Sequence, residues 1–256
     1  MIERISVIKA PDDEKPFLVI WKPKNLPSAP LREGDSDNAL AQAMELYPEI
    51  RIVQGKKPCE YGLLHRLDTA TDGLIVIACS QKCYDFLCTE QNEGRFVKYY
   101  TARCEQIADN AEQLGGFPPV PFTVAACDAG VSVTSYFRAY GEGRKEVRPV
   151  TEKSGKAALA KIGKAKLYTT EIIVKESDEK TALAECRITE GYRHQVRCHL
   201  AWCGLPVQGD SLYNSRFIQN LSDKKNAENL MFSASKVEFE YPRGDLNSYD
   251  RKDTWT

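Results

Sequence analysis

The sequence lacks the features that would direct the chain to or through a membrane. No apolar run approaches the roughly 18 residues that a membrane helix needs. The first residues contain no basic segment followed by an apolar stretch, so no secretion signal is predicted. Internal repeats and low-complexity tracts are absent as well. With 28% charged residues, the 256-residue chain is therefore expected to be a soluble cytoplasmic protein.

The nine cysteines lack the arrangement of a disulfide framework or a zinc site. An odd number, scattered through apolar segments, indicates buried thiols in a reducing compartment. Two groups are close in sequence, but neither contains the paired short-spaced ligands of structural zinc: Cys79, Cys83 and Cys88, and Cys198, His199 and Cys203. No metal and no organic cofactor is predicted. A nucleophilic cysteine paired with His194 or His199 is a disfavoured alternative, because no cysteine lies at a conspicuous turn or helix start.

Positive charge is concentrated in one part of a chain whose net charge is −1. Between Arg138 and Lys166 there are nine basic and three acidic residues, a difference of nine minus three, or plus six. Such clustering governs binding to phosphates more than the overall charge does. A solvated lysine-rich loop is the more common interpretation, and nucleic-acid contact is the alternative.

Apolar periodicity and turn residues predict a mixture of strands and helices. Alternating or continuous apolar segments predict strands at Phe17–Trp21, 73–79, 96–105, Val131–Tyr140, Lys166–Val174, 181–189 and 230–242, the last of the chain. Helical spacing with caps and stop residues predicts helices from Asp37 or Asn38 to Pro48, at 82–94 and at 193–204. Strands and helices do not alternate regularly, so the expected class is α+β with a mixed sheet. A single domain over 1–256 is expected, with its core at about 17–242.

Three segments carry most of the chemically suggestive residues. They are HRLDTATDGL at 65–74, KYYTA at 98–102 and GYRHQVRCHLAWCGLPVQGDSLY at 191–213. In order and approximate spacing they resemble the motifs of RluA-type pseudouridine synthases, with weaker likenesses at WKPKNLP and LMFSASKVEFEYP. The resemblance implies a bent, mostly antiparallel mixed sheet flanked by helices and loops. It also implies isomerisation of uridine to pseudouridine in ribosomal or transfer RNA.

The resemblance assigns the chemistry to a carboxylate and a guanidinium. Asp68 takes the place of the family's catalytic aspartate, which acts as nucleophile or base when the bond from ribose to base is broken. Arg197 takes the place of the arginine that pairs with that aspartate, and a neighbouring guanidinium lowers an Asp pKa by roughly 1 to 3 units. Without the motifs, Asp68 is an ordinary turn aspartate and Arg197 a surface arginine on an amphipathic helix.

The remaining site residues are expected to hold the flipped nucleotide. Tyr100 matches the tyrosine that packs on the uracil, and Val196 the aliphatic residue on its other side. Arg66 resembles the arginine that fills the gap left in the RNA, which offsets part of the few kcal/mol that base extrusion costs. His65 belongs to the same segment and is assigned to substrate binding. Packing as an ordinary strand aromatic is the alternative for Tyr100, core packing for Val196, and a structural salt bridge for Arg66.

Three departures from the family pattern affect substrate geometry. Asp72 stands where serine is usual and adds a negative charge near Asp68. Tyr192 and Arg193 stand where arginine and threonine are common. Arg193, four residues before Arg197, is expected on the same helix face and in contact with a phosphate. Because the resemblance begins near Phe17, no separate RNA-binding module is expected before it, and RNA selection is expected to involve the 138–166 segment.

Two other functions use the same features differently. A non-catalytic RNA-binding protein or RNA chaperone would need none of Asp68, Tyr100 and Arg197. A base-excising glycosylase would also use a carboxylate and an extruded base, but it would release free uracil. The expected enzyme is a monomer that binds RNA and no membrane.

Overall fold

The computed structural model describes residues 3–30, 34–107, 114–120, 130–163, 165–219 and 230–251. The chain divides into two compact units. The first is Met1–Tyr99 with Ser233–Thr256, and the second is Tyr100–Phe232. Within the described ranges, no helix is long and apolar enough to cross a membrane.

The first unit is built on strands from both ends of the chain. Its strands are β1 (Ser6–Lys9), β2 (Phe17–Lys22), β3 (Asp72–Ala78), the start of β4 (Val97–Glu105), most of β9 (Phe232–Glu240) and β10 (Leu246–Asp250). β1 pairs with β2 and β2 with β3 in antiparallel fashion, β3 with β9 in parallel, and β9 with β10 antiparallel. The helices are α1 (Ala39–Leu46) and α2 (Gln81–Asn92).

Every residue of β2 and β3 is buried, as their continuous apolar sequences predict. Helix α1 begins after Asn38, whose side chain accepts a hydrogen bond from the Ala41 N–H at 2.9 Å. Helix α2 begins after Ser80, which accepts one from the Cys83 N–H at 3.3 Å. These side chains satisfy backbone donors that the first helical turn leaves without partners.

The second unit has an antiparallel sheet and a buried helix. Its strands are the end of β4, β5 (Val131–Tyr140), β6 (Glu146–Val150), β7 (Tyr168–Ser177) and β8 (Thr181–Ile188). β8 pairs with β7, β7 with β5 and β5 with β6, all antiparallel. The helices are α3 (Lys156–Leu159), α4 (Gln195–Trp202) and α5 (Ser215–Gln219). All eight residues of α4 are buried.

The predicted α+β class and the mostly antiparallel mixed sheet are confirmed. The strand predicted at Val131–Tyr140 has those bounds, and the one predicted at Lys166–Val174 is observed at Tyr168–Ser177. Strands β1, β6 and β10 and the short helices α3 and α5 were not predicted, and β10 corrects the expectation that the chain's last strand is at 230–242. The single-domain organisation stays a prediction.

The basic stretch at 138–166 is not the simple loop that its composition predicts. It contains the end of β5, all of β6 and helix α3, while Lys164 lies outside the described residues. Arg148 of this stretch is only 3% exposed. Its guanidinium lies 2.7 Å from the Glu146 carboxylate and 4.3 Å from the Tyr140 ring centroid. Arg148 therefore stabilises the second unit from inside.

Candidate active site

The segment that contains Asp68 leads into β3 through a tight turn. The Asp68 carbonyl accepts a hydrogen bond from the Thr71 N–H at 3.0 Å, and β3 begins one residue later. Ser28 makes two hydrogen bonds with Leu67, the residue before Asp68. Its hydroxyl donates to the Leu67 carbonyl at 2.8 Å and accepts from the Leu67 N–H at 2.9 Å. The backbone at Asp68 is thus fixed by a buried strand on one side and a buried serine on the other.

A buried lysine lies close to the same turn. The Lys22 side chain is fully buried, and its Nζ donates to the carbonyls of Pro23 at 2.8 Å, Leu26 at 2.7 Å and Thr69 at 3.2 Å. Burial lowers the pKa of Lys22 to about 8, while the negative charges of Asp72 and Asp68 oppose that shift. The turn therefore combines two carboxyl groups and one buried amino group. The burial of Lys22 was not predicted from the sequence, although Lys22 belongs to the matching WKPKNLP segment.

His65 is held in the first unit as a neutral ring. Its Nε2 is 3.2 Å from the Val76 N–H and accepts that bond, so the proton of the neutral ring is on Nδ1. Burial, aided by the positive charge of Lys98, lowers the pKa of His65 to about 3. The ring packs edge-on against Phe96 with centroids 5.6 Å apart. These contacts link the 65–68 segment to the middle of β3, and the substrate-binding role stays a prediction.

Arg66, by contrast, points to solvent. Its side chain is 56% exposed, and one nitrogen lies 3.2 Å from the Glu60 carboxylate. A pair this exposed contributes little to stability, because solvent screens it and ordering two long side chains costs entropy. The arrangement leaves the guanidinium accessible to RNA.

Tyr100 is the first residue of the second unit and is 8% exposed. Its ring lies parallel to that of Phe232, with centroids 5.1 Å apart and 4° between the planes. A stacked neighbour restricts the ring to one orientation. Phe232 was not predicted from the sequence, because its partner Tyr100 lies far away in the chain.

Arg197 makes a two-pronged contact with a buried carboxylate. Its Nε donates to Asp210 Oδ2 at 2.8 Å and its Nη2 to Asp210 Oδ1 at 2.7 Å. The side chains are 6% and 0% exposed, respectively. Asp210 Oδ1 also accepts from the N–H groups of Leu212 and Tyr213 at 2.9 and 3.1 Å. Arg197 is thus a buried, oriented cation rather than a surface residue, and its predicted pairing with Asp68 stays a prediction.

The structure corrects the placement of Arg193. Helix α4 begins at Gln195, after His194 in a left-handed conformation (φ 56°). Arg193 therefore precedes the helix and shares no helix face with Arg197. Its Nη2 donates to the carbonyls of Arg144 at 2.6 Å and Glu146 at 3.1 Å, so it ties the turn between β5 and β6 to the start of α4. Val196 is the helix's second residue and is 4% exposed.

The neighbouring cysteines and histidines do not have the properties of a nucleophilic pair. Burial raises the pKa of the Cys198 thiol well above its ordinary range and that of Cys203 to about 12. Burial lowers the pKa of His199 to about 3, and its two ring nitrogens contact the hydroxyls of Thr170 at 2.8 Å and Ser135 at 2.9 Å. The His194 ring nitrogen contacts the Tyr213 hydroxyl at 2.9 Å. Within the described residues, no three metal-ligating side chains converge.

Six of the exposed cations in the second unit lie between residues 144 and 161 or at position 193. We call them the basic surface, which comprises Arg144, Lys145, Lys153, Lys156, Lys161 and Arg193. Over the part of the chain that the structure describes, no carboxylate lies within 4 Å of them. Of the acidic residues close by in sequence, Glu146 pairs with Arg148 and Glu190 with Lys166, each at 2.7 Å, while Glu142 and Glu152 are exposed. This surface suits contact with phosphates.

Residues 16–202 match the family model for RNA pseudouridylate synthases. The match covers more than half of the chain, and the chain belongs to this family. Among its relatives is the dual-specificity RNA pseudouridine synthase RluA of Escherichia coli, 27% identical over 210 residues, which are 82% of this chain and 77% of the relative. The ribosomal large subunit pseudouridine synthase D of Haemophilus ducreyi is 26% identical over 83% of this chain and 53% of its own length. The RluA-type resemblance is confirmed.

The chain is shorter than several of its relatives. It spans 39% of an uncharacterized Caenorhabditis elegans protein and 61% of an uncharacterized RNA pseudouridine synthase of Mycoplasma genitalium, each 26% identical. In fold, it is similar to the human RNA pseudouridylate synthase domain containing 1, with a TM-score of 0.65, 18% identity, and coverage of 100% of this chain and 86% of that one.

Proposed function

We propose that this protein is an RNA pseudouridine synthase in which Asp68 starts the reaction. The observation that carries the proposal is the position of Asp68, at a turn fixed by Ser28 and Lys22 within a family-matching segment. A carboxylate that attacks or deprotonates must be held in one place, because small displacements are costly in rate. No metal and no organic cofactor takes part in the proposed reaction.

The other residues receive roles that follow from their contacts and the family resemblance. Arg197 keeps the Asp68 carboxylate ionised, and Asp210 orients that guanidinium. Tyr100 packs on the uracil and Val196 touches its other side. Arg66 occupies the gap left in the RNA, Arg193 contacts a phosphate, and His65 supports the segment that binds the extruded nucleotide.

The proposed substrate is a uridine of ribosomal or transfer RNA, modified in the cytoplasm by a monomeric enzyme. Relatives named for the ribosomal large subunit and for dual specificity support both RNA classes. The exposed basic surface supports a substrate with a phosphate backbone. Comparing pseudouridine maps of total RNA from cells with and without the protein identifies the modified position.

The decisive variant is Asp68→Asn, which keeps the shape of the side chain and removes its charge. We expect it to abolish pseudouridine formation while the Kd for RNA changes less than about threefold. Asp37→Asn, an exposed change in the same unit, is the matched control and should retain full activity. Turnover by Asp68→Asn would remove Asp68 from the mechanism, whereas free uracil from the wild type would show a glycosylase. Specific RNA binding without any product would show an RNA-binding protein.

A further inference from the structure

A groove of about 1020 Å³ lies in the first unit, away from the turn that contains Asp68. Cys79 lines it and directly follows β3, whereas Asp72 is the first residue of that strand. At a rise of about 3.3 Å per residue, the seven steps from Asp72 to Cys79 span roughly 23 Å. Pro16, before the buried end of β2, and Tyr241, after β9, line the groove as well. It is therefore a feature distinct from the candidate active site.

The groove is apolar in its depth. Phe86 and Tyr241 meet edge to face with centroids 5.3 Å apart. The half-buried Pro11 and Pro16 add to this apolar lining, and Pro242 lines the groove at an exposed position. Burial raises the pKa of the Cys79 thiol to about 12, and the charge of Glu49 adds to that shift, so the thiol is not suited to chemistry. Aromatic and proline side chains give a surface that binds apolar or guanidinium groups without losing much conformational entropy.

One wall of the groove is already organised. The carboxylate of Asp12 accepts hydrogen bonds from the N–H groups of Glu14 at 3.1 Å and Lys15 at 2.6 Å, and from Lys9 Nζ at 3.0 Å. These bonds fix the segment between β1 and β2 that forms this wall. A site whose walls are fixed before binding pays less to bind an extended segment.

The charges at the rim are mostly negative once paired side chains are set aside. Asp12 is balanced by Lys9 at 3.0 Å, and Arg243 lies 3.9 and 3.8 Å from Glu90 and Glu93. Asp13, Glu14 and Glu49 remain, and within the described ranges no cation lies within 4 Å of any of them. Lys82 also lines the groove, and no carboxylate of the described ranges lies within 4 Å of it. Three carboxylates stand against the Lys82 ammonium group and the 69% exposed Arg243 guanidinium, which shares Glu90 and Glu93 with Arg95. The remaining excess of negative charge favours a cationic ligand over RNA.

We infer that this groove docks an extended, cationic segment of a partner protein, with one or two apolar or aromatic side chains as anchors between its lysines or arginines. Apolar depth and an acidic rim complement such a segment, and the groove's volume accommodates several side chains. The docking is independent of the proposed catalysis, because the groove and the Asp68 turn lie at opposite ends of β3. The same protein then engages RNA and a protein partner through different surfaces.

The test selects phage-displayed random 12-residue peptides on the immobilised full chain. The best peptide is then labelled, and its Kd is measured by fluorescence anisotropy. We expect the selected peptides to combine at least two Lys or Arg residues with an apolar anchor. Asp13→Lys/Glu14→Lys/Glu49→Lys should weaken binding at least tenfold. The control Asp37→Lys/Glu176→Lys/Glu179→Lys changes the same number and types of exposed residues and should change the Kd less than twofold.

Several results would overturn this inference. Selection that yields no cationic peptides, or peptides that bind both triple variants equally, would exclude the groove as their site. A 20-nucleotide single-stranded RNA that displaces the peptide from the wild type, and whose own Kd rises at least tenfold in the Asp13/Glu14/Glu49 variant, would show a nucleic-acid site instead. A wild-type dimer in sedimentation that this variant dissociates would identify a second copy as the occupant. Pseudouridine formation, measured separately, is expected to be unchanged in both triple variants.

Discussion

The Nζ of Lys22 lies 3.2 Å from the carbonyl oxygen of Thr69, the residue that follows Asp68. The same amino group donates to the carbonyls of Pro23 and Leu26, so one buried side chain links the end of β2 to the turn before β3. A buried charge is costly unless its hydrogen bonds are satisfied, and here three carbonyl oxygens satisfy them. Lys22 is thus a positioning residue for the turn that contains Asp68.

Replacing Lys22 with methionine should loosen that turn. The change leaves three carbonyl oxygens without their donor. Each buried unsatisfied group costs about 1–3 kcal/mol, and the loss is the sum over the three groups. Part of this loss is offset because the variant no longer buries a charge, so we expect the free energy of unfolding to fall by about 2–4 kcal/mol. Urea denaturation measures the change. Lys56→Met, at an exposed position in the same unit, should change it by less than about 0.5 kcal/mol; an equal loss there would contradict the positioning role.

The half-buried His65 and the buried His199 predict how stability depends on acid. Burial lowers the pKa of both His65 and His199 to about 3, from an ordinary value of 6.5. Between pH 6.5 and 3 the unfolded chain therefore binds protons that the folded chain does not, and stability is lost as the pH falls. One such group contributes a slope of about 1.4 kcal/mol per pH unit, and two contribute about twice that.

His65→Gln should remove about half of this slope between pH 6 and 5, and His199→Gln should remove the other half. Glutamine retains an oxygen that can accept the Val76 N–H bond, which limits the structural damage at position 65. Urea denaturation at several pH values measures the slopes. Identical slopes in wild type and both variants would mean that these histidines titrate normally in the folded protein.

Much of this fold and site was predictable from local sequence, and the reasons differ by residue. Continuous apolar runs identified β2 and β3 because both are fully buried. β6 was not predicted because Arg148 and Pro149 interrupt its apolar pattern. The burial of Arg148 depends on rings and carbonyls far away in sequence. Asp210 and Phe232 were missed for the same reason. Their partners Arg197 and Tyr100 are 13 and 132 residues away in the chain, counted from the numbering, so no local pattern identifies the pair.

The Arg197 and Asp210 pair allows stability and catalysis to be separated. Asp210→Asn removes the buried negative charge that orients the Arg197 guanidinium, which should cost about 3–5 kcal/mol of unfolding free energy. Arg197→Met/Asp210→Asn removes both charges, and the asparagine oxygen can still accept from the N–H groups of Leu212 and Tyr213, so most of that stability should return. Catalysis should not return in the double variant if Arg197 acts on Asp68.

Thermal or urea unfolding and pseudouridine formation are measured on the same preparations. Arg197→Lys is the conservative comparison, and it should also lose activity because an ammonium group cannot reproduce the planar fork. Recovery of both stability and turnover in the double variant would assign Arg197 a purely structural role.

The basic surface predicts a defined salt dependence of RNA binding. Each phosphate neutralised on single-stranded RNA contributes about −0.7 to the slope of log K against log salt concentration. Lys153, Lys156 and Lys161 are exposed, and no carboxylate of the described chain is within 4 Å of them. Their joint replacement by glutamine should therefore make the slope less steep by about 1–2 and weaken binding of all RNA sequences to a similar extent.

The control triple Lys82→Gln/Lys175→Gln/Lys180→Gln changes exposed lysines elsewhere and should leave the slope unchanged. Equal slopes in the two triples would place the phosphate contacts outside the 153–161 segment, and Arg193→Gln would then test whether the turn between β5 and β6 provides them.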